Sequence, residues 1–136
     1  MRPFLYALCC CLVPATVAAQ AYQAENWLIV VPLNTSDFEV IEDHGEGARG
    51  IWCAAASFAQ TRLGLPRDQR LYVKSPRGPS VSGVGSKGVV FTTDPGRVDG
   101  VAAQSYSVTV RRAGENLPSH HARQFCKDYL IELNDL

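Results

Sequence analysis

The residues of this 136-residue chain best suited to chemistry are Cys53 and Cys126, far apart in the sequence, and the adjacent pair His120 and His121. A cysteine near the start of a helix is a nucleophile, because the helix dipole favours its thiolate. Two cysteines outside the cytosol form a disulfide instead. The compartment therefore decides between catalysis and cross-linking, and the first 21 residues address the compartment. Arg2 precedes an apolar run over residues 4–13, followed by Pro14 and small residues ending in Ala19-Gln20-Ala21. These are the parts of a cleavable secretory signal peptide, with cleavage expected after Ala21 or Ala19. The run falls short of the ~18 apolar residues that a membrane span requires, and Pro14 interrupts it. The expectation is thus an exported protein, periplasmic or extracellular, with no membrane span after cleavage and one domain over residues 22–136. Cys9, Cys10 and Cys11 leave with the leader. Cys53 and Cys126 remain as an even pair, which predicts a Cys53–Cys126 disulfide.

The competing use of Cys53 has its own signal. Gly50 as a helix cap would place Cys53 in the first turn, and Trp52-Cys53 opens an alanine-rich stretch. Over this short segment the chain resembles the nucleophile region of papain-like proteases. The resemblance implies an exported thiol-dependent hydrolase using Cys53 with His120 or His121. The chain departs from that pattern in two places. Gly45-Glu46-Gly47 stand where those enzymes carry an upstream Gln, and the histidines fall at a helix start instead of a strand start. Disulfide exchange is disfavoured as well, since no C-x-x-C pair brings a resolving thiol close.

Other chemistries find less support. Glu42, Asp43, His44 and Glu46 lack the calcium-loop pattern, and adjacent helical histidines point about 100° apart, so no metal site is expected. Gly83-Val84-Gly85-Ser86-Lys87-Gly88 spells a dinucleotide fingerprint but leads into a strand and not a helix, so no cofactor is expected. Thirteen basic residues balance thirteen acidic ones. A net charge of zero provides no broad positive field for nucleic acid. The charges are nonetheless segregated. Asp37, Glu39, Glu42, Asp43 and Glu46 crowd together, whereas Arg62, Arg67, Arg70, Lys74, Arg77 and Lys87 follow. A Pro-, Gly- and Ser-rich loop over residues 75–88 would present Lys74, Arg77 and Lys87 to an anionic partner. The reading that results is a small, exported, non-catalytic domain that binds a protein or an anionic envelope component.

The elements that must hold these residues follow from periodicity. Residues 27–31 are apolar and β-branched, stopped by Pro32, and read as a buried strand; residues 38–42 read as a second. From Arg49 the period becomes helical, with Ile51, Ala55 and Phe58 on one face and Trp52, Ala56, Ala59 and Leu63 beside it, until Gly64. Short strands are predicted at 71–73 and 89–93. The strict alternation of Tyr106, Val108 and Val110 with polar neighbours predicts a strand over 105–111. A last helix, capped by Ser119, places Ala122, Phe125, Cys126, Tyr129, Leu130 and Leu133 on one stripe. The order ββαβββα predicts an α+β domain. It consists of an antiparallel sheet of about five strands and two disulfide-linked helices on one of its faces.

Overall fold

The computed structural model describes residues 20–101 and 107–128. Within them six strands form one antiparallel sheet: β1 (Tyr22–Gln23), β2 (Ile29–Pro32), β3 (Asp37–Ile41), β4 (Arg70–Pro79), β5 (Lys87–Thr92) and β6 (Asn116–Pro118). Their order across the sheet is β1-β2-β3-β5-β4-β6. Helix α1 (Gly47–Ser57) enters after β3, and α2 (Ser119–Arg123) follows β6. The fold is α+β, as the periodicities imply, with one strand more than expected.

Strand alternation decides which residues face the helices. Val30, Val40, Val89, Phe38, Phe91 and Val73 stand in register across four neighbouring strands. They join Leu71, Leu117 and the buried faces of α1 and α2 in a single apolar core. Ala54, Ala55, Ala56 and Ala59 are fully buried. Their small side chains let α1 lie close to the sheet and to α2, while Trp52 and Phe58 fill the remaining space. The Trp52 ring meets Phe91 edge-on at 4.9 Å, and its indole N–H donates to the Val108 carbonyl at 2.9 Å. The last turn of this helical run, Phe58–Arg62, widens, with Leu63 N–H donating to the Phe58 carbonyl. Gly64 then adopts φ +64°, and Leu65 N–H reaches back to the Ala59 carbonyl, the glycine stop that the sequence signals.

The Cys53–Cys126 disulfide is present, with the two Cα atoms 5.0 Å apart, and it links the helices. Several local expectations are corrected. Helix α1 begins at Gly47, not after Gly50, so Cys53 lies in its second turn. Ser119 is the first residue of α2 and Pro118 its cap, since Gln69 and Arg67 carbonyls accept the first N–H groups of the helix. Residues 124–125 form a turn, and helical conformation resumes over 126–128. Tyr129, Leu130 and Leu133 of the predicted stripe lie outside the described residues, as do residues 1–19 of the predicted leader and residues 105–106 of the predicted strand.

The remainder of that predicted strand, 107–111, is not part of the sheet. It crosses the molecule as an irregular strap: Val110 is buried and its carbonyl accepts from Arg77 N–H, while the Val108 carbonyl meets Trp52. Residues 107–109 are half-buried, Val110 is buried and Arg111 is exposed, so burial does not follow the alternation of the sequence. The strands missed are β1 and β6, of two and three residues. Strand β4 is also longer than expected, continuing through Pro76 to Pro79 because bulges between Val73 and Ser75 and between Ser75 and Gly78 absorb the misfit. Among the described residues no helix is long and apolar enough to cross a membrane.

The cross-link spans 73 residues, and in the chain-entropy treatment a loop of that length stabilises the fold by roughly 4 kcal/mol. Reduction, or the Cys53→Ala/Cys126→Ala double variant, is expected to lower the urea-unfolding free energy by about that amount, a large share of the ~5–15 kcal/mol typical of a domain. An unfolding midpoint unmoved by reductant would contradict a stabilising role.

Candidate functional site

The sulfur atoms do not form a nucleophilic centre in this structure. Cys53 is fully buried and bonded to Cys126, so no thiolate is available for a histidine to activate. His120 instead places Nδ1 3.0 Å from the Arg67 carbonyl, and His121 stands edge-on to Phe125 at 5.7 Å. The His120 contact ties α2 to the segment before β4, whereas the His121 contact is local to the end of α2.

The basic residues separate into distinct settings. The sheet face opposite the helices carries Asp37, Glu39, Tyr72, Val90 and Thr92, as register requires. Asp37 is only 2% exposed. Lys74 Nζ donates to its Oδ2 at 2.5 Å, Arg97 donates Nε and Nη2 at 3.1–3.2 Å, and Asn34 Nδ2 lies at 3.0 Å. Burial alone would raise its pKa. The hydrogen bonds from Lys74, Asn34, Thr92 and Arg97 outweigh that effect and hold the carboxyl well below the usual Asp range. Lys74 therefore serves an internal carboxylate.

Two residues along β3, Glu39 is wholly buried. Here the donors come from the predicted partner-binding loop itself. Ser80 Oγ and Ser82 Oγ donate to Oε1 at 2.9 and 2.5 Å, Val81 N–H to Oε2 at 2.7 Å and Ser82 N–H to Oε1 at 3.2 Å. Burial again opposes ionisation. The Ser82 hydroxyl, the Val81 N–H and the remaining Ser80 and Ser82 donors overcome it, and the Glu39 pKa is lowered. Backbone and hydroxyl groups of the loop do bind an anion, and that anion is this chain's own glutamate. The acidic run is consequently not one surface, since Asp37 and Glu39 are internal while His44 and its ion-pair partner Asp43 are exposed. Gly88 makes the arrangement feasible: a Cβ at that position would lie 2.7 Å from Glu39 Oε2.

Arg77 and Lys87 have a different setting. Arg77 Nε donates to Glu42 Oε2 at 2.6 Å, which raises the guanidinium pKa further. With Glu42, Gly47, Ala48, Ile51, Thr109, Val110 and Arg111 it lines a cavity of about 190 Å3. Lys87 is exposed beside it, its carbonyl accepting from Glu42 N–H, and its ammonium has no carboxylate partner among the described residues. Arg111 has no signal of its own in the sequence, because it sits in the segment read as a strand. A larger apolar depression of about 610 Å3 is lined by Pro32, Leu33, Phe58 and Leu63 with Arg62 at its rim. Among the described residues no three His, Cys, Asp or Glu side chains cluster closely enough to hold a metal ion.

The caged carboxylates imply acid sensitivity with a definite sign. Both ionise at lower pH in the folded than in the unfolded chain. Their stabilisation is complete above the ordinary values of 4.5 and 3.8 and is lost as pH falls from there through the lowered folded values. Glu39→Gln, which turns an amide N–H toward donors, is expected to cost roughly 3 kcal/mol at pH 7. It should also flatten the decline in melting temperature between pH 5 and 3. An acid limb as steep as that of the parent would rule out Glu39 as a source of the decline. In comparisons with known proteins the chain matches no family model, no curated protein and no solved structure, so its function must be argued from the chemistry of its own surface.

Proposed function

We propose that this chain is an exported, disulfide-closed, non-catalytic domain that binds an anionic group on a protein or envelope component. The observation that supports this reading is the basic end formed by Arg77 and Arg111 in the wall of the cavity at the entrance to α1, with Lys87 exposed on β5 next to Glu42 in the hydrogen-bonding pattern. Two cations line the cavity against the carboxylate of Glu42, and the first residues of α1, Gly47 and Ala48, form part of the wall. A helix start is a favourable place for negative charge, which adds to the field of the side chains. Lys74 drops out of the contact surface, since Asp37 holds it. A disulfide between the helices is consistent with an oxidising compartment and favours export.

Non-catalytic binding is favoured over hydrolysis by the state of Cys53, which is closed off by its bond to Cys126. Recognition through exposed cations is screened by salt. Anionic vesicles of phosphatidylglycerol and a poly-glutamate chain serve as probes, with phosphatidylcholine vesicles as control. The Arg77→Ala/Lys87→Ala/Arg111→Ala variant is expected to bind the anionic probes about tenfold more weakly than the parent. The parent should itself lose affinity between low and physiological salt. Unchanged binding in the triple variant would remove this surface from the function. Recovery of the expressed chain from the cytosol, with an intact mass that includes residues 1–21, would remove export.

A further inference from the structure

The apolar depression of about 610 Å3 has Gln20 in its wall, beside Leu33, Phe58 and Leu63. Among the described residues Arg62 is the one charged group that lines it, and no carboxylate does. Gln20 is set in place from two directions. Its carbonyl accepts from Arg62 Nη1 at 3.5 Å, and two residues on, Tyr22 opens β1 in register with Val30. The Tyr22 hydroxyl shares a hydrogen bond with Ser57 Oγ at 2.7 Å, and the Arg62 guanidinium lies 5.4 Å from the Tyr22 ring centre.

The sequence leaves two cleavage positions open, after Ala19 and after Ala21. Cleavage after Ala21 would discard Gln20, and with it part of the wall and the carbonyl that Arg62 meets. Cleavage after Ala19 keeps both and makes Gln20 the first residue. Its nitrogen would then be an ammonium in a setting that does not suit one. Covalent geometry holds that nitrogen within about 3.6 Å of the carbonyl oxygen of the same residue. The ammonium is thus within about 7 Å of the Arg62 guanidinium, inside the ~8 Å over which salt screens charge. No acid in the wall offsets the repulsion.

A glutamine at a chain start can lose that charge. A positive neighbour disfavours the protonated amine and leaves more of the neutral form, and the exposed Gln20 side chain is free to fold back. The neutral amine attacks Cδ of its own side chain. The N–Cδ bond forms, the Cδ–Nε2 bond breaks, and one amine proton leaves on Nε2 as ammonia. The product is an uncharged lactam whose methylene groups suit the apolar wall, and the carbonyl that meets Arg62 takes no part. We infer that the mature chain begins at Gln20 and that this residue closes into pyroglutamate, giving the domain an uncharged N-terminus against the depression. The inference rests on export and removal of the leader, and is separate from the binding surface at the start of α1.

The test uses the full chain, expressed with its own leader, recovered from the exported fraction and kept at mildly alkaline pH until its mass is constant. The expected intact mass is that of residues 20–136 with the disulfide closed, less one ammonia, and the N-terminal peptide should carry the loss. An aminopeptidase should leave the chain untrimmed until a pyroglutamyl peptidase has removed the ring. Gln20→Ala should lose the leader at the same bond, show no ammonia loss and be trimmed directly. It should also melt about 2 °C lower, since its ammonium stays beside Arg62. A chain that starts at Tyr22, an unmodified Gln20 at constant mass, an ammonia loss that persists in Gln20→Ala, or equal melting of the two forms would overturn the inference and leave export standing. A cytosolic chain that retains residues 1–19 would overturn both, so the two failures are read apart.

Discussion

An ionised glutamate in the middle of a sheet must be given donors, or its desolvation costs several kcal/mol and the sheet does not form. Glu39 is that residue, wholly buried on β3. The donors available to it are the hydroxyls and amides of residues 80–82, so the connection between β4 and β5 is obliged to fold back over the sheet. Its closure is fixed by Ser80 N–H on the Ser86 carbonyl. The path also explains Gly85, where a Cβ would fall 2.3 Å from Ile41 Cγ2. Asp37, on the same face, imposes a parallel demand that Lys74 and Arg97 meet from two other parts of the chain. One face of the sheet is therefore organised by charge, with hydrogen-bond geometry setting where each covering segment must lie.

The other face is organised by volume. Alanines on α1 allow close approach, aromatic rings at Trp52, Phe58, Phe38 and Phe91 fill what remains, and the disulfide holds the short α2 against α1. With only five regular residues, α2 has little capacity to hold itself in place through helix formation, since short helices are unstable alone. Its position derives from the covalent bond and from the Gln69 and Arg67 carbonyls that accept its first N–H groups.

The elements that were legible in the sequence are those with a local cause. Gly64 ends its helix because a glycine there relieves a left-handed backbone, and the cysteine pair was readable because Cys53 and Cys126 are the only cysteines after residue 21. The α+β class followed from alternation and helical period. What misled was alternation itself over 107–111, since an irregular strap outside the sheet carries the same residue pattern as a strand. The strands β1 and β6 were invisible because two or three residues carry no period. The site was partly legible: Arg77 and Lys87 stand at one end of the sheet, but charge type alone does not distinguish a cation facing solvent from one, like Lys74, bound to a buried acid. Nor does a Pro-Gly-Ser composition distinguish a free loop from one whose amides already hold a carboxylate. The hint lay in β3 and β5, where Ile41 and Val90 share the face of Glu39 and Asp37 and so require that face to be covered.

The extremities of the sheet are its two shortest strands, β1 with two residues and β6 with three, the latter ending at Pro118. A lateral margin of that length offers few unpaired amides in a row, and proline withholds one of them. Growth of the sheet by docking of a further copy, the route to fibrils, has almost no template among the described residues. Among the described residues, a domain whose polar interior depends on buried ionised acids thus presents its two shortest strands at the places where an antiparallel sheet is ordinarily most open to a further strand.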